Sequence, residues 1–139
     1  MKTLYNNRGD VGPPVSVLMK LCEQIRVFNE SLEILNQSLD QAISTTAETL
    51  PIESHLSQLR AQFQQIIADL ADTDIELGIE QRTRSYQTEA HRRLRLLGVE
   101  AMRLRTAKDP VRSAAVRSQL QDHLDQLRQF TAAIAAEVC

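Results

Sequence analysis

The sequence is poor in the residues that build tight loops, disulfide frameworks and aromatic binding platforms. Its 139 residues include four glycines, four prolines, two cysteines and no tryptophan, and aromatic residues make up only 4%. So few glycines argue against a Gly-rich loop that cradles phosphate groups. No apolar run approaches the roughly 18–20 residues that span a bilayer, and the first residues lack the apolar region of a signal peptide. These absences disfavour a phosphate-loop enzyme, a membrane-spanning protein and a secreted protein.

The two cysteines do not predict a disulfide framework. Cys22 lies in a helical apolar pattern and is expected to be a small core residue, whereas Cys139, the last residue, is expected to carry a free thiol. A chain with reduced cysteines fits a cytoplasmic location.

The sequence offers no set of residues for catalysis or metal binding. His55, His91 and His123 fall on three different predicted helices. None of them has a Cys, Asp or Glu three or four positions further on, the spacing that would place a second ligand on the same helix face. We therefore expect surface or boundary histidines, no metal or other cofactor, and a protein that is not an enzyme.

Apolar residues recur in alternating steps of three and four over most of the chain. This spacing predicts amphipathic helices with coiled-coil-like packing. The predicted helices span residues 16–44, 52–70, 75–108 and 111–137, and Asp109 followed by Pro110 is a typical start for the last of them.

Helices joined by such short connections favour an all-α, antiparallel four-helix bundle over residues 15–139. Residues 1–14, which end in Gly12-Pro13-Pro14, are expected to form a flexible tail. The core is expected to contain Phe28, Leu32, Leu59, Phe63, Leu97, Leu120 and Leu127.

The third predicted helix carries two apolar stripes. At about 100° per residue, the stripe expected to face the core consists of Tyr86, Ala90, Leu94, Leu97, Ala101 and Leu104. The opposite side combines apolar residues with arginines, a composition typical of protein interfaces. We expect this side to bind a partner, through Arg84, Arg92, Arg95, Leu96, Val99, Met102 and Arg103. The partner could be a second copy of the chain, as in a homodimer, or a different protein, and the sequence leaves both open.

The charges are distributed unevenly along the chain. Residues 82–117 contain ten Arg or Lys against three acidic residues, whereas residues 1–81 contain five basic against twelve acidic ones. Such asymmetry favours electrostatic contacts, either within the bundle or with a partner. A regulator that binds nucleic acid through the arginines is the alternative function. It is disfavoured because the basic side carries apolar residues and lacks aromatic residues for base stacking.

Part of the third helix resembles the core of the cyanobacterial PatD family of small helical proteins. The resemblance is carried by residues 85–89 (SYQTE), 93–97 (RLRLL), 100–102 (EAM) and Leu104. Members of that family are associated with control of heterocyst frequency and modulate assembly of the tubulin-like division protein FtsZ. The resemblance therefore implies a non-catalytic adaptor that acts in cell division, and it assigns no individual binding residues.

Overall fold

The computed structural model describes residues 15–41, 52–73 and 78–139. These residues form four helices: α1 (Val15–Gln41), α2 (Ile52–Thr73), α3 (Ile79–Thr106) and α4 (Pro110–Val138). Strands are absent from the described part of the chain. The all-α helical bundle expected from the spacing of apolar residues is confirmed.

The boundaries of the described helices agree with the predicted ones to within a few residues. Helix α3 begins at Ile79, directly after Gly78, whose φ of 64° lies in the left-handed region that favours glycine. The predicted start at residue 75 and the predicted end of α1 at residue 44 lie outside the described residues. The predicted start of α4 is correct: the side chain of Asp109 accepts a hydrogen bond from the backbone N–H of Arg112 at 2.9 Å, and Pro110 is the first helical residue. The predicted tail, residues 1–14, lies outside the described residues.

Contacts between α1 and α4 establish that the two helices are antiparallel. Thr131 donates to the Asn29 side chain at 2.7 Å, and Gln121 donates to Asp40 at 2.6 Å. From the first contact to the second, the residue number increases in α1 and decreases in α4. The start of α1 therefore lies beside the end of α4.

The remaining neighbours are antiparallel as well. The Arg105 guanidinium of α3 lies 2.5 Å from Glu53 near the start of α2, and the rings of Phe63 and His91 lie 5.9 Å apart. Between α3 and α4, Arg82 pairs with Glu137 at 2.7 Å. Each helix packs mainly on two neighbours, in the cyclic order α1, α2, α3, α4. It follows that α1 and α3 are parallel and occupy diagonally opposite corners of the bundle.

The core runs along the axis between the four helices. The seven residues expected at its centre are all 2% exposed or less: Phe28, Leu32, Leu59, Phe63, Leu97, Leu120 and Leu127. The rings of Phe28 and Phe63 meet with their centroids 5.8 Å apart. Tyr86, expected in the core stripe of α3, is instead 36% exposed, because its position at the edge of the stripe lets the large ring reach solvent.

The prediction for the cysteines was wrong. Cys22 and Cys139 are joined by a disulfide, with their Cα atoms 5.8 Å apart, so Cys139 is not a free thiol. Cys22 is half-buried rather than a residue of the core. The antiparallel packing of α1 and α4 explains the pairing, because it brings the second turn of α1 to the end of α4.

Candidate functional site

The side of α3 opposite the core carries most of the predicted binding residues in solvent. Val99 is 47% exposed and Met102 is 57% exposed, and the arginines around them are exposed as well. We define the α3 outer face by its exposed residues: Arg84, Arg92, Arg95, Val99, Met102 and Arg103. The core stripe of α3 is buried while the α3 outer face stays exposed, because the two lie on opposite sides of the helix, about 180° apart.

Leu96 is the one predicted binding residue that is not exposed. It is half-buried on the flank of α3, about 60° from Val99 around the helix. Only part of its side chain is therefore available to a partner, and we leave it out of the α3 outer face.

Three of the four arginines on the α3 outer face form ion pairs within their own helix. Arg84 pairs with Glu80 at 2.6 Å and Arg92 with Glu89 at 3.6 Å, one turn away in each case. Water and salt screen such exposed pairs, so they contribute little to stability and a partner can replace them at little cost.

Arg103 pairs with Glu100, whose side chain is buried against the bundle. One guanidinium nitrogen of Arg103 donates to both carboxylate oxygens of Glu100, at 3.1 and 3.3 Å. Glu100 is 7% exposed, so the guanidinium of Arg103 is paired with a carboxylate that packs against the bundle.

Arg95 is the arginine whose charge is not offset. It forms no ion pair and no hydrogen bond with any residue in the described part of the chain, and its side chain is exposed. Arg95 lies one turn from Val99 on the same side of α3. The α3 outer face therefore has an apolar patch with one uncompensated guanidinium beside it.

Behind this face, α3 is held to α4 by a buried polar contact. Arg93 donates from Nη1 to Nδ1 of His123 at 3.0 Å, so Nδ1 must accept and the neutral ring carries its proton on Nε2. Burial lowers the pKa of His123, and the positive charge of Arg93 lowers it further. The expectation that all three histidines lie at the surface or its boundary was wrong for His123, which is buried.

A second exposed apolar surface lies on α1. Met19 is 66% exposed, Val27 is 37% exposed and Ile34 is 53% exposed. Glu23 and Glu30 lie between them on the same side of the helix. We define these five residues as the α1 outer face. The sequence holds a signal for it in the spacing of Met19, Val27 and Ile34, eight and then seven residues apart. The stronger core periodicity of the same helix masks that signal.

Among the described residues, no group of three or more His, Cys, Asp or Glu is placed so that it could hold a metal ion. The four helices, as far as they are described, include none with the length and hydropathy of a membrane span.

Fold and site together define a four-helix bundle that presents a mixed apolar and basic helix face to solvent. No family model, curated protein or solved structure matches the chain.

Proposed function

We propose that this protein is a non-catalytic adaptor that binds an acidic surface of another protein through its α3 outer face. The observation that carries the proposal is the exposure of Val99 and Met102 beside the uncompensated Arg95. Interface cores are enriched in Met and Arg. An arginine can bury its aliphatic stem against apolar neighbours while its guanidinium pairs with a carboxylate.

The charge of the whole helix supports an acidic partner. Helix α3 carries seven arginines against three glutamates, so its field attracts negatively charged surfaces and disfavours basic ones. The resemblance to the PatD family supplies the identity of the partner. We take it to be an FtsZ-like division protein, and the role of the adaptor to be regulation of its assembly.

A co-sedimentation experiment tests this proposal. FtsZ-like protein is polymerised with its nucleotide and pelleted in the presence of the adaptor. The adaptor is expected in the pellet with polymer and in the supernatant without it. A matched control is the variant Ala61→Glu, which adds a negative charge at an exposed position of α2, outside the α3 outer face. The control should pellet like the wild type. Absence of the wild-type adaptor from the pellet at every protein concentration would refute the assignment of the partner.

Nucleic-acid binding receives less support, because the α3 outer face combines its arginines with the exposed apolar residues Val99 and Met102 and has no aromatic residue for base stacking. A salt titration separates the two functions. Affinity for DNA falls steeply and linearly with the logarithm of the salt concentration, whereas an interface centred on Val99 and Met102 should depend on salt only weakly. Strong binding to DNA with a steep salt slope would favour the nucleic-acid alternative.

A further inference from the structure

The exposed apolar residues are concentrated on two helices that lie at diagonally opposite corners of the bundle. Of the seven large apolar residues that are exposed in the described part of the chain, three lie on α1 and three on α3. The seventh, Val111, lies in the first turn of α4, and α2 has none. Because α1 and α3 occupy opposite corners of the bundle, their outer faces point in opposite directions.

The charges of the two faces are complementary. Helix α1 carries four acidic residues against two basic ones, whereas α3 carries seven arginines against three glutamates. Beside the α1 outer face, Arg26 bonds to both Glu23 and Glu30, and Lys20 is exposed on the same side of the helix. On the α3 outer face, Arg95 has no acidic partner among the described residues. A contact between α1 and α3 brings Arg95 to a helix with a surplus of acidic residues, whereas a contact between two α3 faces would bring like charges together.

The two faces also match in spacing. Glu30 and Ile34 lie four residues apart on α1, and Arg95 and Val99 lie four residues apart on α3. One register therefore places Ile34 on Val99 and Glu30 beside Arg95. Since α1 and α3 run parallel within one bundle, a second copy needs only a translation, without rotation, to bring its α1 alongside α3 of the first in this register.

We infer that copies of this protein associate head to tail, with the α1 outer face of one copy bound to the α3 outer face of the next. Such a contact uses two different surfaces that point away from each other, so it does not close into a dimer and extends into a chain. This inference goes beyond the proposed function and does not depend on it. Self-association covers the α3 outer face of every copy except one at the end of the chain, and it competes there with the foreign partner.

The test is sedimentation velocity over a range of protein concentrations. The wild type should show a mass that keeps rising with concentration beyond that of a dimer. Ile34→Glu blocks only the α1 outer face and Val99→Glu blocks only the α3 outer face. Each variant alone should be monomeric, with self-association weakened at least about tenfold, because a charge is buried against an apolar surface. Ala61→Glu, the charge-matched control on α2, should associate like the wild type.

The decisive sample is an equimolar mixture of the two variants. Each retains the face that the other has lost, so the mixture should form a one-to-one complex that stops at a dimer. If Ile34→Glu alone forms a closed dimer, the contact joins two α3 faces. If Val99→Glu alone does so, it joins two α1 faces. Either result overturns the inference. A wild type that stays monomeric up to a protein concentration of about 1 mM, at which weak specific contacts still form, also overturns it.

Circular dichroism of each variant establishes that it is folded. If Ile34→Glu or Val99→Glu is unfolded, a second pair of variants with reversed charges is used instead. Glu30→Arg and Arg95→Glu should each weaken self-association. Their mixture should associate again into chains of alternating variants, because both contacts between unlike copies then pair a glutamate with an arginine. No recovery in that mixture contradicts the inference. Failure here is distinguishable from failure of the proposed function, because Ile34→Glu leaves the α3 outer face free and should pellet with the FtsZ-like polymer as the wild type does.

Discussion

Arg93 and His123 meet across the α3–α4 interface, with Nη1 of the arginine 3.0 Å from Nδ1 of the histidine. The contact requires a neutral imidazole, because a protonated ring has no acceptor to offer the guanidinium. The contact therefore depends on a group that must stay neutral, and the pKa of His123 is lowered in the folded protein, chiefly by burial.

This contact predicts that the protein loses stability as the pH falls. The pKa of His123 is lowered in the folded state, so the unfolded chain binds a proton first, at a pH near the ordinary value of about 6.5. The free energy of unfolding should be unaffected by His123 above that pH. It should decrease between that pH and the lowered folded-state pKa, by at most about 1.4 kcal/mol per pH unit.

Urea denaturation at several pH values between 5 and 8 (a range chosen around the ordinary pKa of histidine) measures this effect. His123→Asn keeps an acceptor near the position of Nδ1 and does not titrate, so its curve should lack the decrease. His55→Asn is the control and should retain it. Equal pH dependence in the wild type and His123→Asn would show that the histidine contact does not set the stability of the bundle.

Phe63 is the largest side chain that α2 places in the core, 1% exposed and in contact with Phe28. Phe63→Ala should lower the free energy of unfolding by about 3–5 kcal/mol, through lost apolar burial and the cavity left behind. Val111→Ala, at an exposed position, should change it by less than about 0.5 kcal/mol. Urea melts of both variants give the comparison, and a loss below about 1 kcal/mol for Phe63→Ala would mean that the core is not built around this ring.

The disulfide between Cys22 and Cys139 predicts that reduction destabilises the protein. The bond closes a loop of nearly the whole chain, and loss of a native disulfide of this kind costs about 2–5 kcal/mol. Urea melts with and without a phosphine reductant should differ by that amount. Cys139→Ser should melt like the reduced wild type and should not respond to the reductant. Mass spectrometry should establish that the wild type is oxidised without the reductant and reduced with it. Identical urea melts of these two samples would contradict the prediction.

The core and the exposure of the α3 outer face could be read from the sequence because both follow from the position of a residue around its own helix. Phe63 and Val99 were assigned to opposite environments on that basis, and the structure places them so. The disulfide and the burial of His123 depend on which residues of two helices meet across the bundle. Spacing within one helix does not contain that information. The predicted burial of Tyr86 was wrong for a third reason. Its large ring lies at the edge of the core stripe and reaches solvent, where a smaller side chain would not.

The central claim is that the α3 outer face is the binding surface. It is tested most directly by a calorimetric titration that measures the affinity of the double variant Arg95→Glu, Val99→Glu for the proposed FtsZ-like partner. A control that combines Ala61→Glu with Arg112→Glu carries the same change in charge on α2 and α4, at exposed positions. We expect the double variant to lose at least about two orders of magnitude in affinity, because it would bury two unpaired negative charges against the acidic surface that we propose as the partner. Its helicity and melting temperature should stay close to those of the wild type, and the control should bind normally. Wild-type affinity in a folded double variant would contradict the claim.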